Sequence, residues 1–345
     1  MRISLVIILY ASIICGCANA GEGDVLTFKH SVDVKTEIIS DKSPLMTYPY
    51  DMFVTENHIW VLCLMNQKWI HCYDKQNGEY LSSFVPQGRG PGELVACATL
   101  HLDKNNNELY LYDNEGIKML TFNVYDYPPS VEFREEKSLV DVSGAVIINA
   151  WPLTGENIFA NVQCGSMEDS LTRFSIYSKD AALVYNCSDT PFLKNDDRYT
   201  YQQSFMTLSQ DRRRFASITL FGEILEIYNL TERNIEKVVE RVYSSPNIEF
   251  KNGVLWETDR TIWGFPFVCS DDNFIYSPMI HSKDIDSFNK IAVFDWEGQG
   301  CLKMVTDYNI LRLSSYKDVL YGIVADKSQG FLFSKYQIPI ELFHL

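Results

Sequence analysis

The stretch Asn57-His58-Ile59-Trp60-Val61 is followed by Trp69-Ile70-His71-Cys72-Tyr73-Asp74, then Asn77-Gly78, then Tyr80 to Val85: a strand, a strand, a turn and a strand. Short runs of aromatic and β-branched residues closed by Asn-Gly mark antiparallel strands joined by tight turns. The same grammar returns at Asn107-Glu108-Leu109-Tyr110-Leu111 with Ile117 to Phe122, and at Asn157-Ile158-Phe159 with Phe174 to Tyr177. A more diverged copy has Phe215 to Leu220 and Ile224 to Asn229. The fifth reads Asn273-Phe274-Ile275-Tyr276 with Ile291 to Asp295 and the turn Glu297-Gly298, and the last is Asp318 to Gly322 with Gly330 to Tyr336.

The anchor aromatics Trp60, Tyr110, Phe159, Phe215, Tyr276 and Tyr321 are 50, 49, 56, 61 and 45 residues apart. A unit of that length holds about four strands and cannot bury both its faces alone, so six units pack around a ring. The expectation is an all-β, six-bladed propeller of four-stranded antiparallel blades over 25–345. With 20 Tyr, 20 Phe and 6 Trp, the composition favours strands throughout. After Tyr321 there is room for one further strand, so the sixth blade is one strand short. The segment Val25 to Ile39 is expected to supply its outer strand and close the ring without a covalent link, removing an exposed edge.

At the other end of the reading, Arg2 precedes an apolar run of 12 residues, Ile3 to Ile14, and then Cys15-Gly16-Cys17-Ala18. A basic head and a short apolar core make a secretory signal, whereas a membrane-spanning helix needs roughly 20 apolar residues. Gly16 supplies the small residue that cleavage before a lipidated cysteine requires, so 1–16 reads as a lipoprotein leader, Cys17 as the lipid-attachment site and 17–24 as a tether. Ordinary cleavage after Ala18-Asn19-Ala20 is the rival reading. Loss of Arg2 with the leader takes the formal charge from -15 to -16, which repels nucleic acid and anionic lipid. The only membrane contact expected is through the N-terminal lipid.

Seven cysteines follow Cys17, an odd number in no zinc-like spacing. Cys63 and Cys72 face across one hairpin and read either as a cross-strand disulfide or as two buried thiols. The six histidines show no metal spacing, there is no G-x-S-x-G elbow, and no catalytic residue, metal ligand or cofactor is nominated.

The leader, the six units and the run Gly88-Arg89-Gly90-Pro91-Gly92-Glu93-Leu94 between the first two of them together resemble the TolB-like six-bladed β-propeller lipoproteins of Gram-negative bacteria. The resemblance covers nearly the whole mature chain and is weakest from Asp180 to Lys251. It implies the propeller fold and an envelope location, with Ala18 after the cysteine favouring the outer membrane, and it implies no ligand.

Candidate binding residues come from two connections. The glycine-rich run lacks the third glycine and following helix of a phosphate loop, so it is a blade-to-blade connection with Arg89 and Glu93 either at its rim or at a binding mouth. Between Gly253 and Phe267, Trp256 and Arg260 combine ring surface with charge, which suits a carbohydrate or peptide as well as blade core. Asp103 to Glu108 has alternating oxygen ligands, but without the glycine and distal Glu of a calcium loop it reads as an Asn-rich turn. Arg212-Arg213-Arg214 reads as a solvated hairpin turn, with a docking patch for an acidic partner as the alternative.

The function expected is an envelope-anchored, non-catalytic binding or interaction module for a protein, peptide or glycan. The alternative is a cation-dependent hydrolase or lactonase-like enzyme working at the channel mouth. Mass spectrometry of the mature N-terminus is expected to find acylated Cys17; an unmodified Gly21 terminus would refute the lipoprotein reading.

Overall fold

The strand grammar becomes seven sheets in the computed structural model, which describes residues 25–40, 44–139, 146–163, 172–187, 204–251, 254–285, 287–328, 330–339 and 341–342. The leader, Cys17, the tether and Cys164 lie outside the described residues. Two N-terminal strands come first, β1 (His30–Asp33) and β2 (Glu37–Ile38). Blade one is β3 (Asp51–Val54), β4 (His58–Met65), β5 (Lys68–Asp74) and β6 (Tyr80–Pro86); blade two is β7 (Cys97–Asp103), β8 (Glu108–Asp113), β9 (Lys118–Asp126) and β10 (Pro129–Ser138). Blade three is β11 (Val146–Pro152), β12 (Ile158–Gln163), β13 (Phe174–Tyr177) and β14 (Leu183–Cys187); blade four is β15 (Phe205–Leu208), β16 (Arg214–Ile218), β17 (Glu223–Thr231) and β18 (Asn234–Ser244). A separate hairpin, β19 (Ile248–Lys251) and β20 (Val254–Glu257), precedes blade five, which is β21 (Cys269–Ser270), β22 (Phe274–Met279), β23 (Lys290–Asp295) and β24 (Gly300–Val305). Blade six is β25 (Asn309–Tyr316), β26 (Val319–Asp326) and β27 (Gly330–Gln337), completed by β2.

All six anchor aromatics fall on the second strand of a blade. Strands such as β4 are buried along nearly their whole length, because both faces of each sheet are covered by neighbours. Six hydrophobic clusters fill the six seams. Trp60, Trp69, Leu111 and Phe122 join blades one and two, and Phe159, Phe174, Phe215 and Tyr228 join three and four. In that second seam Phe215 stacks on Tyr228 with centroids 4.6 Å apart, a favoured aromatic separation. The seam between the last and first blades holds Ile59, Val61 and Tyr73 against Tyr321, Ile323 and Phe333.

Ring closure follows the expectation at β2, where Glu37 pairs with Lys335 and Ile38 with Ser334. The earlier part of the segment does something else: β1 runs parallel to β24 as a fifth strand of blade five. Packing explains the division. Leu26 and Phe28 pack into the seam of blades four and five, and Val32, Val34 and Ile38 into that of five and six. Gly300 makes this approach possible, since a Cβ there would lie 2.2 Å from the Thr27 carbonyl oxygen.

Turns also cross the seams. Asp126, at the end of β9, accepts the backbone N–H and Nδ2 of Asn57 (3.0 and 2.6 Å) and the Thr55 hydroxyl, and sits 2.8 Å from His58 Nδ1. Glu232, between β17 and β18, plays the same part for blade three, accepting Thr154 Oγ1 at 2.8 Å and Gly155 N at 2.7 Å. These bonds place the turns between third and fourth strands beside the neighbour's turn between first and second strands, on one face of the ring.

A buried ion pair ties blade three to blade four. Arg173 Nη1 lies 2.6 Å from Glu226 Oε2, while Tyr228 donates to Oε1 at 2.8 Å and Ser217 accepts from Nη2 at 2.8 Å. So desolvated a pair depends on added hydrogen bonds, which reach both Nη atoms of Arg173 and both carboxylate oxygens of Glu226. The disulfide reading is not realised: the β4–β5 register sets Cys72 opposite Trp60, and Cys63 and Cys72 are buried free thiols.

Deleting residues 25–39 is expected to lower the melting temperature by roughly 5 °C or more, a loss of about 2 kcal/mol at roughly 2–4 °C per kcal/mol, and to promote aggregation through the opened edges. An unchanged melting temperature by calorimetry would sink the closure account.

Candidate functional site

First strands of all six blades contribute to the wall of a narrow central channel of about 90 Å³, among them Asp51, His101, Trp151, Thr207, Ser270 and Ser315. Short polar side chains, Thr207, Ser270, Ser314 and Ser315, share the lining with bulky ones such as Phe53, Trp151 and Met206. The short ones bond across blades: Thr207 Oγ1 lies 2.9 Å from Ser270 Oγ, and Ser315 donates to the Ser270 carbonyl at 3.4 Å.

The channel opens into a chamber of about 480 Å³ on the face of the turns between first and second strands. Blade two contributes Lys104 and Asn105, blade four Gln210 and Asp211, blade five Asp271, Asp272 and Asn273, and blade six Lys317 and Asp318, with Tyr276 and Tyr316 in the wall. Lys104, Gln210 and Ser315 line both spaces. Some of these carboxylates are committed to their turns. Asp271 Oδ1 accepts the backbone N–H of Asn273 and of Phe274, each at 2.9 Å, and Oδ2 accepts Tyr276 OH at 2.7 Å. Asp103 does the same with Asn105 N (2.9 Å) and Asn106 N (3.3 Å), which makes Asp103 to Glu108 the Asn-rich turn.

Two long cations cross this face. Lys104 Nζ donates to the Ser315 carbonyl of blade six at 3.0 Å. Arg212, in the basic run, reaches from blade four to Asp103 of blade two and donates to the Leu153 carbonyl of blade three at 3.2 Å. Its side chain is 10% exposed, so the turn reading of the run holds while its solvated character fails at this residue. The backbone of Arg212 has φ +58°, a left-handed turn position.

Burial governs the titratable groups. Asp51 has its pKa raised to about 7 by removal from bulk water, against the Met52 N–H bond and the Arg312 charge, which lower it. His101 is pushed down to about 4 by desolvation and by the nearby Arg212 charge, and its Nε2 is buried without a hydrogen-bond partner. Desolvation also lowers the Lys104 pKa, opposed by Asp271 and Asp272. Cys97 and Cys269 are driven up by burial and do not serve as thiolates. Among the described residues no group of three or more His, Cys, Asp or Glu is placed to hold a metal ion.

The residues nominated from sequence lie on the opposite face, in connections between one blade's fourth strand and the next blade's first. Glu93 turns into its own loop, its Oε2 accepting Gly90 N at 2.8 Å; a Cβ on Gly88 would lie 2.1 Å from that oxygen. The glycine-rich run is thus a self-braced turn. Arg89 is exposed beside it. Trp256 (56% exposed) and Arg260 belong to the connection between blades four and five, three seams away, so the four residues form two separate groups. That connection is stitched to its neighbours through Gly264 N to Leu220 O (2.7 Å) and Trp263 N to Ser282 O (2.8 Å), with Trp263 packed on Phe221. Lys104, Asp272 and Asp318 line the chamber, and the sequence pattern singles out none of the three as a ligand contact. The signal for Lys104 lay in a turn read only for calcium ligands.

The family profile described as "TolB-like 6-blade propeller-like" matches residues 27–315. Among solved structures, one described as a "Putative exported protein" from Bacteroides fragilis aligns with TM-score 0.58 at 14% identity, over 91% of this chain and 99% of that one. Regucalcin, described as a calcium-binding protein, from Agrobacterium tumefaciens gives 0.51 at 10% identity, over 90% and 95%. The Cps50 (Swd1) β-propeller domain of Myceliophteria thermophila gives 0.51 at 6%, over 88% and 100%. At these identities the likeness shows the fold alone. No curated protein matches the sequence.

The raised pKa of Asp51 sets a pH signature. From about pH 4 to 7 the folded protein keeps a proton that the unfolded chain has released, so Asp51 costs increasing stability across that window and its full amount above it. In urea melts Asp51→Asn is therefore expected to gain on the wild type as pH rises from 4 to 7, with no further gain above. A pH-independent difference would refute this.

Proposed function

The chain belongs to the TolB-like 6-blade propeller-like family, and from that premise we propose that it is an exported, non-catalytic binding protein of the cell envelope, anchored at the outer membrane by lipid on Cys17. Its ligand site is the chamber over the channel. The observation that carries this reading is the chamber itself. Its volume, about 480 Å³, falls within the roughly 300–1,000 Å³ of small-molecule sites, and its walls come from four blades of one braced ring. The Asp211 and Asp271 carboxylates are occupied by turn N–H groups, which suits a fixed binding wall better than an acid–base pair. The leader sequence supports export, and the cation-dependent hydrolase has no comparable observation behind it.

On the opposite face, exposed Trp256 and Arg260 offer ring and guanidinium surface for a protein, peptide or glycan, and Arg89 and Glu93 mark a second position there. These contacts are secondary in the proposal, since the two groups stand at separate junctions.

Saturation-transfer NMR with a mixed set of neutral, anionic and cationic fragments tests the reading. Hits are expected to lose at least about tenfold in affinity in Lys104→Met or Asp318→Asn and to be unaffected by Trp256→Ala with Arg260→Ala. Hits that survive both chamber variants and vanish in the Trp256 and Arg260 variant would move the site to the other face.

A further inference from the structure

We propose that the occupant of the chamber is a small zwitterion, an amino acid or short peptide with free termini, whose carboxylate meets the Lys104 ammonium and whose own ammonium is held toward Asp272 and Asp318. The inference rests on the chamber being the binding site and names what it selects. Charges lining the space are Lys104 and Lys317 against Asp211, Asp271, Asp272 and Asp318. Lys317 is neutralised by Glu56, 3.0 Å away. Asp271 and Asp211 are engaged by their own turns. That leaves Lys104 as the available cation, and Asp272 and Asp318 as carboxylates with no hydrogen bond or ion pair from the described residues.

Lys104 sits where the chamber narrows into the channel, and Asp272 and Asp318 are at the exposed rim. An ammonium has three donors, and the Ser315 carbonyl takes one of those on Lys104. Partial burial makes its charge costly, and a ligand carboxylate would relieve that cost. A simple anion would have to pass two rim carboxylates on a protein of net charge -15, and a simple cation would end against Lys104. A molecule carrying both charges, cation outward, satisfies both ends. Tyr276 and Tyr316 supply ring surface for whatever lies between.

Calorimetric titration of the full chain with the dipeptide glycyl-tyrosine, its N-acetyl form and its C-terminal amide tests this. The free dipeptide is expected to bind at least about tenfold more tightly than either blocked form. Lys104→Met should erase the preference over the amide, with Lys104→Arg retaining it as a control for folding. Asp272→Asn with Asp318→Asn should erase the preference over the acetylated form. Equal binding of either blocked form overturns the zwitterion assignment while leaving the chamber as the site. Absence of binding by all three at millimolar concentration overturns it as well, and the fragment screen then decides whether the chamber binds anything.

Discussion

A sheet whose two faces are both apolar is insoluble until each face meets another, and six such sheets satisfy this only as a closed circuit. The seam between blades six and one is the one on which the others depend, because without it two faces and two edges would stand in water. Ile59, Val61 and Tyr73 pack there against Ile323 and Phe333, and β2 completes the blade behind them. The shared channel and its chamber exist because the circuit closes: four blades contribute walls to the chamber, and no single blade contains it.

Closure also explains how chemically ordinary residues acquire unusual properties. Asp51 and His101 shift because six strands exclude bulk water around them, with no elaborate partner set. Lys104 and Arg212 extend across blades because the turns that carry them meet around a common opening. The buried pair of Arg173 and Glu226 does comparable work inside a seam, fixing blade three against blade four.

Much of the fold was legible because seam packing writes itself into the chain as a recurring aromatic on each second strand. Trp60 and Tyr276 are separated by more than two hundred residues and still share that position. The inner strands were harder to read: β3 and β21 have four and two residues, too short for a periodic signal. The site was poorly legible for the same reason. Its residues come one or two at a time from turns whose Asp and Asn content has a purely local explanation, and nothing local tells Asp272, which faces a chamber, from Asp74, whose Oδ1 caps its own turn. Arg89 and Glu93 attracted notice through a glycine pattern that serves the loop's own geometry, and the split of the N-terminal segment between two blades depended on side-chain packing that alternation could not show.

The placement of β1 and β2 bears on the order in which the protein can be made. Both lie within the first forty residues, and their partners are β24 and β27, so that Thr36 N bonds to Asp307 across a separation of 271 residues. A polypeptide is synthesised N-terminus first, and these strands have nothing to pair with until almost the entire chain has followed. Blades one to four can assemble as they appear, each against its predecessor, but the ring stays an open arc with an unclaimed leading segment. Completion is thus a late, long-range event, entropically slow, and until it happens the leading segment and the edges of β24 and β27 stay unpaired.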